Sequence, residues 1–132
     1  MDYSKQMNDY KKQSVYSMTQ GELLLLLYDE LVKRLKRGKL WLEKGNIPEF
    51  EKDIRRAAEI IQYLRKILDM KIPISRELAR LYSFYEGHTM RILVSRKAEQ
   101  IDELLPMIED MRTAFRGADL QCRGVDTAQQ AL

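Results

Sequence analysis

The chain is poor in the residues on which most small-protein chemistry depends. It holds one cysteine, Cys122, and one histidine, His88, too few for a disulfide or for a zinc site built from several such ligands. Neither a metal nor another cofactor is expected. A lone cysteine fits a reducing compartment, and the first residues, MDYSKQMNDY, lack the apolar stretch of a secretory signal, so a cytoplasmic setting is expected. Proline and glycine are scarce as well, at 3 and 6 of 132 residues, which argues against a sheet with many turns. The longest unbroken apolar run, Leu23 to Tyr28, is far too short to cross a bilayer. No Glu-x-x-His occurs, which excludes a di-iron bundle site of the ferritin kind, and there is no glycine loop to cradle a phosphate.

What is present is 45% apolar and 33% charged, the balance of one soluble domain with a modest core. Basic residues outnumber acidic ones 23 to 20, a net charge of +3, with the signs interspersed along most of the chain. Charge alone does not mark a nucleic-acid binder.

The apolar pattern predicts four helices, at about 19–44, 47–69, 75–95 and 98–116. Thr19-Gln20-Gly21-Glu22 has the spacing of a capping box, in which a hydroxyl and a carboxylate satisfy orphan N–H groups at a helix start. Leu24, Leu27, Tyr28, Leu31, Leu35, Gly38 and Leu42 then fall on one stripe, and Gly45-Asn46 ends it. Pro48 suits a first turn, and Phe50, Ile54, Ala57, Ile61, Leu64 and Leu68 follow at three- and four-residue spacing. Met70 to Ile74 reads as a linker around Pro73, with Ser75 as cap of the third helix. Gly117 is expected to close the fourth. Residues 118–132, small and polar, read as a disordered tail. Four such helices on short connections predict an all-α, antiparallel up-and-down four-helix bundle over 19–117. Residues 1–18 carry Tyr3, Met7 and Tyr10 at helical spacing, then Val15 and Tyr16, an amphipathic segment able to dock on the bundle.

Five consecutive leucines, Leu23 to Leu27, wrap the whole circumference of a helix at ~100° per residue. A bundle meeting that helix from one side leaves some of them uncovered. Leu23 shares a flank with Trp41, and Leu26 shares the outer side with Leu40. Two compatible readings follow: residues 1–18 fold back over them, or they form an apolar groove for the amphipathic helix of another protein. Tyr63, Tyr82, Phe84 and Tyr85 are more aromatics than one inner stripe holds. Tyr63 and Phe84 are expected at the surface, where such rings make hot spots. Lys33 to Lys39 holds five basic residues in seven, read either as a solvated face or as a patch for RNA or an acidic partner. Glu99, Asp102, Glu103, Glu109 and Asp110 all fall on polar faces, and no pair of carboxylates has the apolar setting that acid–base catalysis needs. An enzyme is not expected.

Several segments in order are similar to a known family. Tyr10 and Val15, then Ser17-x-Thr19-x-Gly21-Glu22-Leu23 and Leu27-Tyr28-Asp29, resemble the N-terminal signature of the FliS flagellin export chaperones. Ala57-Ala58-Glu59-Ile60-Ile61-x-x-Leu64, Leu81-Tyr82-Ser83-Phe84 and Arg112-Thr113-Ala114-Phe115 continue the likeness, which spans 10–115 without gaps. The resemblance implies a cytosolic four-helix bundle that binds the disordered C-terminal segment of flagellin in apolar grooves, blocks premature polymerisation and keeps the client ready for flagellar type III export. It also implies a lid, containing Tyr10 and Val15, that occupies part of the groove until the client displaces it. Leu23, Leu26, Tyr63, Tyr82 and Phe84 are the expected contacts to client or lid. Export-gate components are further candidate partners, and an uncovered groove could pair with a second copy. The rival reading is a nucleic-acid-binding or regulatory bundle that uses Lys33 to Lys39.

The chain departs from that family at several points. Gln20 stands where Pro is usual. Gly87-His88-Thr89 replaces Arg-Arg-Leu, and Gly87 should weaken its helix by about 1 kcal/mol relative to Ala. Pro106 falls inside the fourth helix, where it removes the bond to Asp102 and should kink the helix.

Overall fold

The computed structural model describes residues 18–131, with side chains as far as 119. Among the described residues there are four helices and no strand: α1 (Gln20–Glu43), α2 (Ile47–Lys66), α3 (Ser75–Ser95) and α4 (Ala98–Ala131). Helix α1 packs against α2 and α4, and α3 packs against the same two, the ring order of an up-and-down bundle. The expected lid residues Tyr10 and Val15 lie outside the described residues.

Local chemistry sets most of the ends. Thr19 caps α1, its Oγ1 accepting the Glu22 N–H at 3.1 Å. Gly45, at φ +73°, makes the left-handed turn that a residue with a Cβ rarely adopts. Asn46 caps α2 by accepting the Glu49 N–H at 3.3 Å. Helix α2 stops at Lys66, short of Asp69, because Asp69 organises the turn that follows. Its Oδ1 accepts the Lys71 N–H at 3.0 Å, and its carbonyl accepts the Ser75 hydroxyl at 2.6 Å. Ser75 is thus the first residue of α3 rather than its cap. That place falls to Ile74, which offers no side-chain bond. Helix α4 runs through Gly117 to Ala131, with Pro106 inside it. Gly117 lacks a Cβ but retains its N–H and carbonyl, so its cost of about 1 kcal/mol does not by itself stop a helix.

The core is built from the predicted stripes of α1 (Tyr28, Leu31 and Leu35) and α2 (Phe50, Ile54, Ala57, Ile61 and Leu64), together with Tyr82, Tyr85 and Ile92 from α3 and Ile101, Leu104 and Ile108 from α4. Gly38 lets α1 and α2 approach closely, since a Cβ there would sit 2.7 Å from Ile54 Cδ1. Gly21 does the same at the start of α1, where a Cβ would overlap the Asp119 carboxylate of α4.

One buried carboxylate joins α1 to α2. Asp53, 2% exposed, accepts from Arg34 Nη1 and from the Trp41 indole N–H, each at 2.9 Å, and lies 3.6 Å from Arg37 Nε. It was not among the expected site residues. Its position three residues after Phe50 and four before Ala57 puts it on the inner stripe, which is the signal that marks it.

Candidate apolar binding surface

The leucine run is divided by its surroundings. Leu24 and Leu27 pack on the core, Leu23 is half-buried, and Leu26 remains 36% exposed with Leu40 at 44%. Leu25 and Leu26 line a shallow hollow with Met18, Asp29 and Arg116.

A deeper recess lies at one end of the bundle. The first turn of α1, the last turn of α2, the 67–74 connection and the start of α3 enclose about 490 Å³, lined by Leu24, Leu64, Ile67, Ile72, Leu78 and Tyr82 among others. Its rim carries three isoleucines left largely in water, Ile67, Ile72 and Ile74, at 36%, 50% and 53% exposure, and Met70 beside them is 55% exposed. The linker expected at Met70 to Ile74 thus contributes an apolar surface. Its signal is the apolar content of that linker, since a connection facing only water is ordinarily polar.

The expected contact residues do not converge on one site. Tyr82 is 1% exposed. It presents an edge to the end cavity, while its hydroxyl accepts from the Tyr28 hydroxyl at 3.4 Å. Tyr63 and Phe84 stand at the surface, 45% and 42% exposed, on α2 and α3. The α2–α3 seam is polar, with Arg65 Nη1 2.9 Å from Glu86 Oε2 and Gln62 Nε2 donating to Glu86. Phe84 leans on the Tyr85 and His88 rings, with centroids 6.5 and 5.9 Å away. Exposed Met90 and Val94 extend the apolar side of α3. His88 itself is buried, and its Nε2–H donates to the Gln100 carbonyl at 2.8 Å.

The segments that carry the family resemblance meet inside the bundle. The Tyr28 ring packs edge-on to Phe115 at 5.4 Å and tilted to Tyr82 at 6.5 Å, and Asp29 pairs with Arg112. Burial raises the pKa of the Tyr28 and Tyr82 hydroxyls and pushes that of Tyr85 up to about 12. These groups stay protonated and neutral near pH 7. Among the described residues no cluster of His, Cys, Asp or Glu could hold a metal ion, and no helix is long and apolar enough to cross a membrane.

The family model described as "Flagellar protein FliS" matches residues 3–121. The chain belongs to the FliS family. Its relatives include the flagellar secretion chaperone FliS of Bacillus subtilis (strain 168), 24% identical over 109 residues, covering 83% of this chain and 82% of the relative. Another is the FliS of Vibrio cholerae serotype O1 (strain ATCC 39315 / El Tor Inaba N16961), 27% identical over 112 residues, covering 80% of this chain and 82% of the relative. The fold matches the crystal structure of a bacterial flagellar chaperone with a TM-score of 0.74, at 15% sequence identity, over 91% of this chain and 99% of that one. Within this FliS fold, the signature residues Tyr28, Asp29, Arg112 and Phe115 join α1 to α4.

Proposed function

We propose that the chain is a cytoplasmic export chaperone whose client is the disordered C-terminal segment of flagellin. The client folds against the apolar surfaces of the bundle, which keeps it from polymerising early and competent for flagellar type III secretion. The observation that carries this reading is the end cavity of about 490 Å³ with its rim of exposed isoleucines. Leu26, Tyr63 and Phe84 supply further exposed anchors, and Leu23, half-buried, lies three residues before Leu26 on α1. Fully burying one such side chain yields about 1.5–3 kcal/mol, so a client touching several of them offsets the ordering of its own chain. Gln20 and Gly21 line the cavity, so the chain enters α1 at its rim. A lid formed by residues 1–18, with Tyr10 and Val15, is thereby within reach.

Calorimetry of the full chain against a C-terminal flagellin peptide from the same organism tests the reading. Binding with a negative heat-capacity change is expected, the signature of apolar burial. Absence of binding, or binding without that change, overturns it.

The rival nucleic-acid reading finds its basic run already occupied. Lys33 lies 3.7 Å from Glu30, Lys36 lies 3.6 Å from Glu109, and Lys39 lies 2.8 Å from Asp102. Arg34 and Arg37 both reach Asp53.

A further inference from the structure

Among the described residues, another cluster of positive charge lies across the α1–α2 seam. Arg34, Lys52, Arg55, Arg56 and Glu59 line a surface hollow of about 400 Å³, so four cations face a single carboxylate there. Arg34 is fixed by Asp53 beneath it, and Arg56 is held by Glu59 at 2.8 Å. Lys52 and Arg55 are exposed and have no acidic partner among the described residues. On α2 the cations recur at three- and four-residue spacing, so they share one face of that helix.

We propose that this hollow is a second docking surface, separate from the apolar one, and that its partner is an acidic peptide segment of another protein. Guanidinium groups already held by carboxylates keep a fixed orientation, and their remaining N–H groups suit the planar fork of a further carboxylate. Charge complementarity of this kind steers encounter and sets register. A single-stranded nucleic acid fits less well because it needs aromatic faces on which bases stack. No aromatic residue lines the hollow. The nearby indole of Trp41 donates its N–H to Asp53, and the Lys44 ammonium stands 5.5 Å from its ring centroid.

The test is fluorescence anisotropy on the full chain with a labelled glutamate-rich peptide, its glutamine counterpart and a labelled oligouridine. The glutamate peptide is expected to bind and the glutamine peptide not to. In Lys52→Glu with Arg55→Glu, affinity for the glutamate peptide should fall about tenfold or more. The control pair Lys71→Glu with Arg76→Glu, at exposed cations elsewhere, should leave it unchanged. Unaltered thermal unfolding shows that both variants fold. Binding of the flagellin peptide should be the same in all three proteins, so failure here is distinguishable from failure of the chaperone reading. Equal binding by the Lys52/Arg55 variant, equal loss in the control pair, no binding at all, or tighter binding of oligouridine overturns the proposal.

Discussion

The indole N–H of Trp41 on α1 donates to Asp53 Oδ2 on α2 at 2.9 Å, while Arg34 occupies the other carboxylate oxygen at the same distance. Removing the carboxylate strands both donors at a seam where water reaches only part of Arg34, which is 24% exposed. Asp53→Ala is expected to destabilise the fold by about 1.5–3 kcal/mol, the range for hydrogen bonds to a charged group. Urea unfolding followed by Trp41 fluorescence measures it, and Asp53→Asn should recover part of the loss by keeping an acceptor for one donor.

Two glycines should answer the same substitution with opposite signs. At Gly87 a Cβ would meet nothing within 4 Å, so Gly87→Ala should stabilise α3 by about 1 kcal/mol through helix propensity alone. At Gly38 the new methyl would press on Ile54 Cδ1 in a filled core, and overpacking of about 1–3 kcal/mol exceeds the same propensity gain. Gly38→Ala is expected to lower the melting temperature, and Ile54→Val in the same chain should restore part of it.

The buried tyrosines predict alkaline sensitivity. Below pH 10 these hydroxyls are protonated in both folded and unfolded chains, so their contribution is fully present. As pH rises past the ordinary value of 10.0 the unfolded chain ionises first and stability declines, for Tyr85 until its folded value of about 12. Thermal unfolding across this range should show a flatter decline in Tyr85→Phe. Near neutral pH that variant should be unchanged or up to about 1 kcal/mol more stable, because the Tyr85 hydroxyl is buried without a hydrogen-bond partner.

Exposed anchors should separate binding from folding. Phe84→Ala and Tyr63→Ala should each shift stability by only about 0.5 kcal/mol. A hot-spot ring is worth about 2 kcal/mol or more in binding, so flagellin-peptide affinity in the calorimeter should fall roughly thirtyfold in at least one of them. Unchanged affinity in both would exclude these two rings as anchors and leave the end cavity alone as the client surface, where Ile72→Asp is the variant to measure.

Deleting residues 1–16 should tighten flagellin-peptide binding and reduce solubility, since a covering segment competes with the client. Equal affinity with and without them would exclude autoinhibition.

Helix order and most of the core were legible because the apolar stripes of α1 to α4 repeat at three and four residues, and because Thr19 and Asn46 are capping side chains at the right offsets. What escaped was long-range. Asp53 is a polar residue on an inner stripe, and its value depends on Arg34 and Trp41 arriving from another helix. Met70 to Ile74 looks like a spacer until the folded chain sets Ile72 and Ile74 across a cavity from Leu24. Tyr82 counts as one more aromatic in the sequence, yet the fold spends it on Tyr28. Gly117 carries the local mark of a helix end, but nothing in its own backbone obliges α4 to stop there.

That extra length of α4 has an electrostatic consequence at the opposite end of the chain. The missing Cβ of Gly21 admits the Asp119 carboxylate to the first turn of α1, the positive pole of that helix, and Gly21 also lines the end cavity. A chain shortened after Gly117 would keep all four bundle helices but leave Glu22 as the acidic residue of that first turn. The charge at that pole thus depends in part on a residue 98 positions away along the chain (119 − 21), one that lines the hollow beside Leu25 and Leu26.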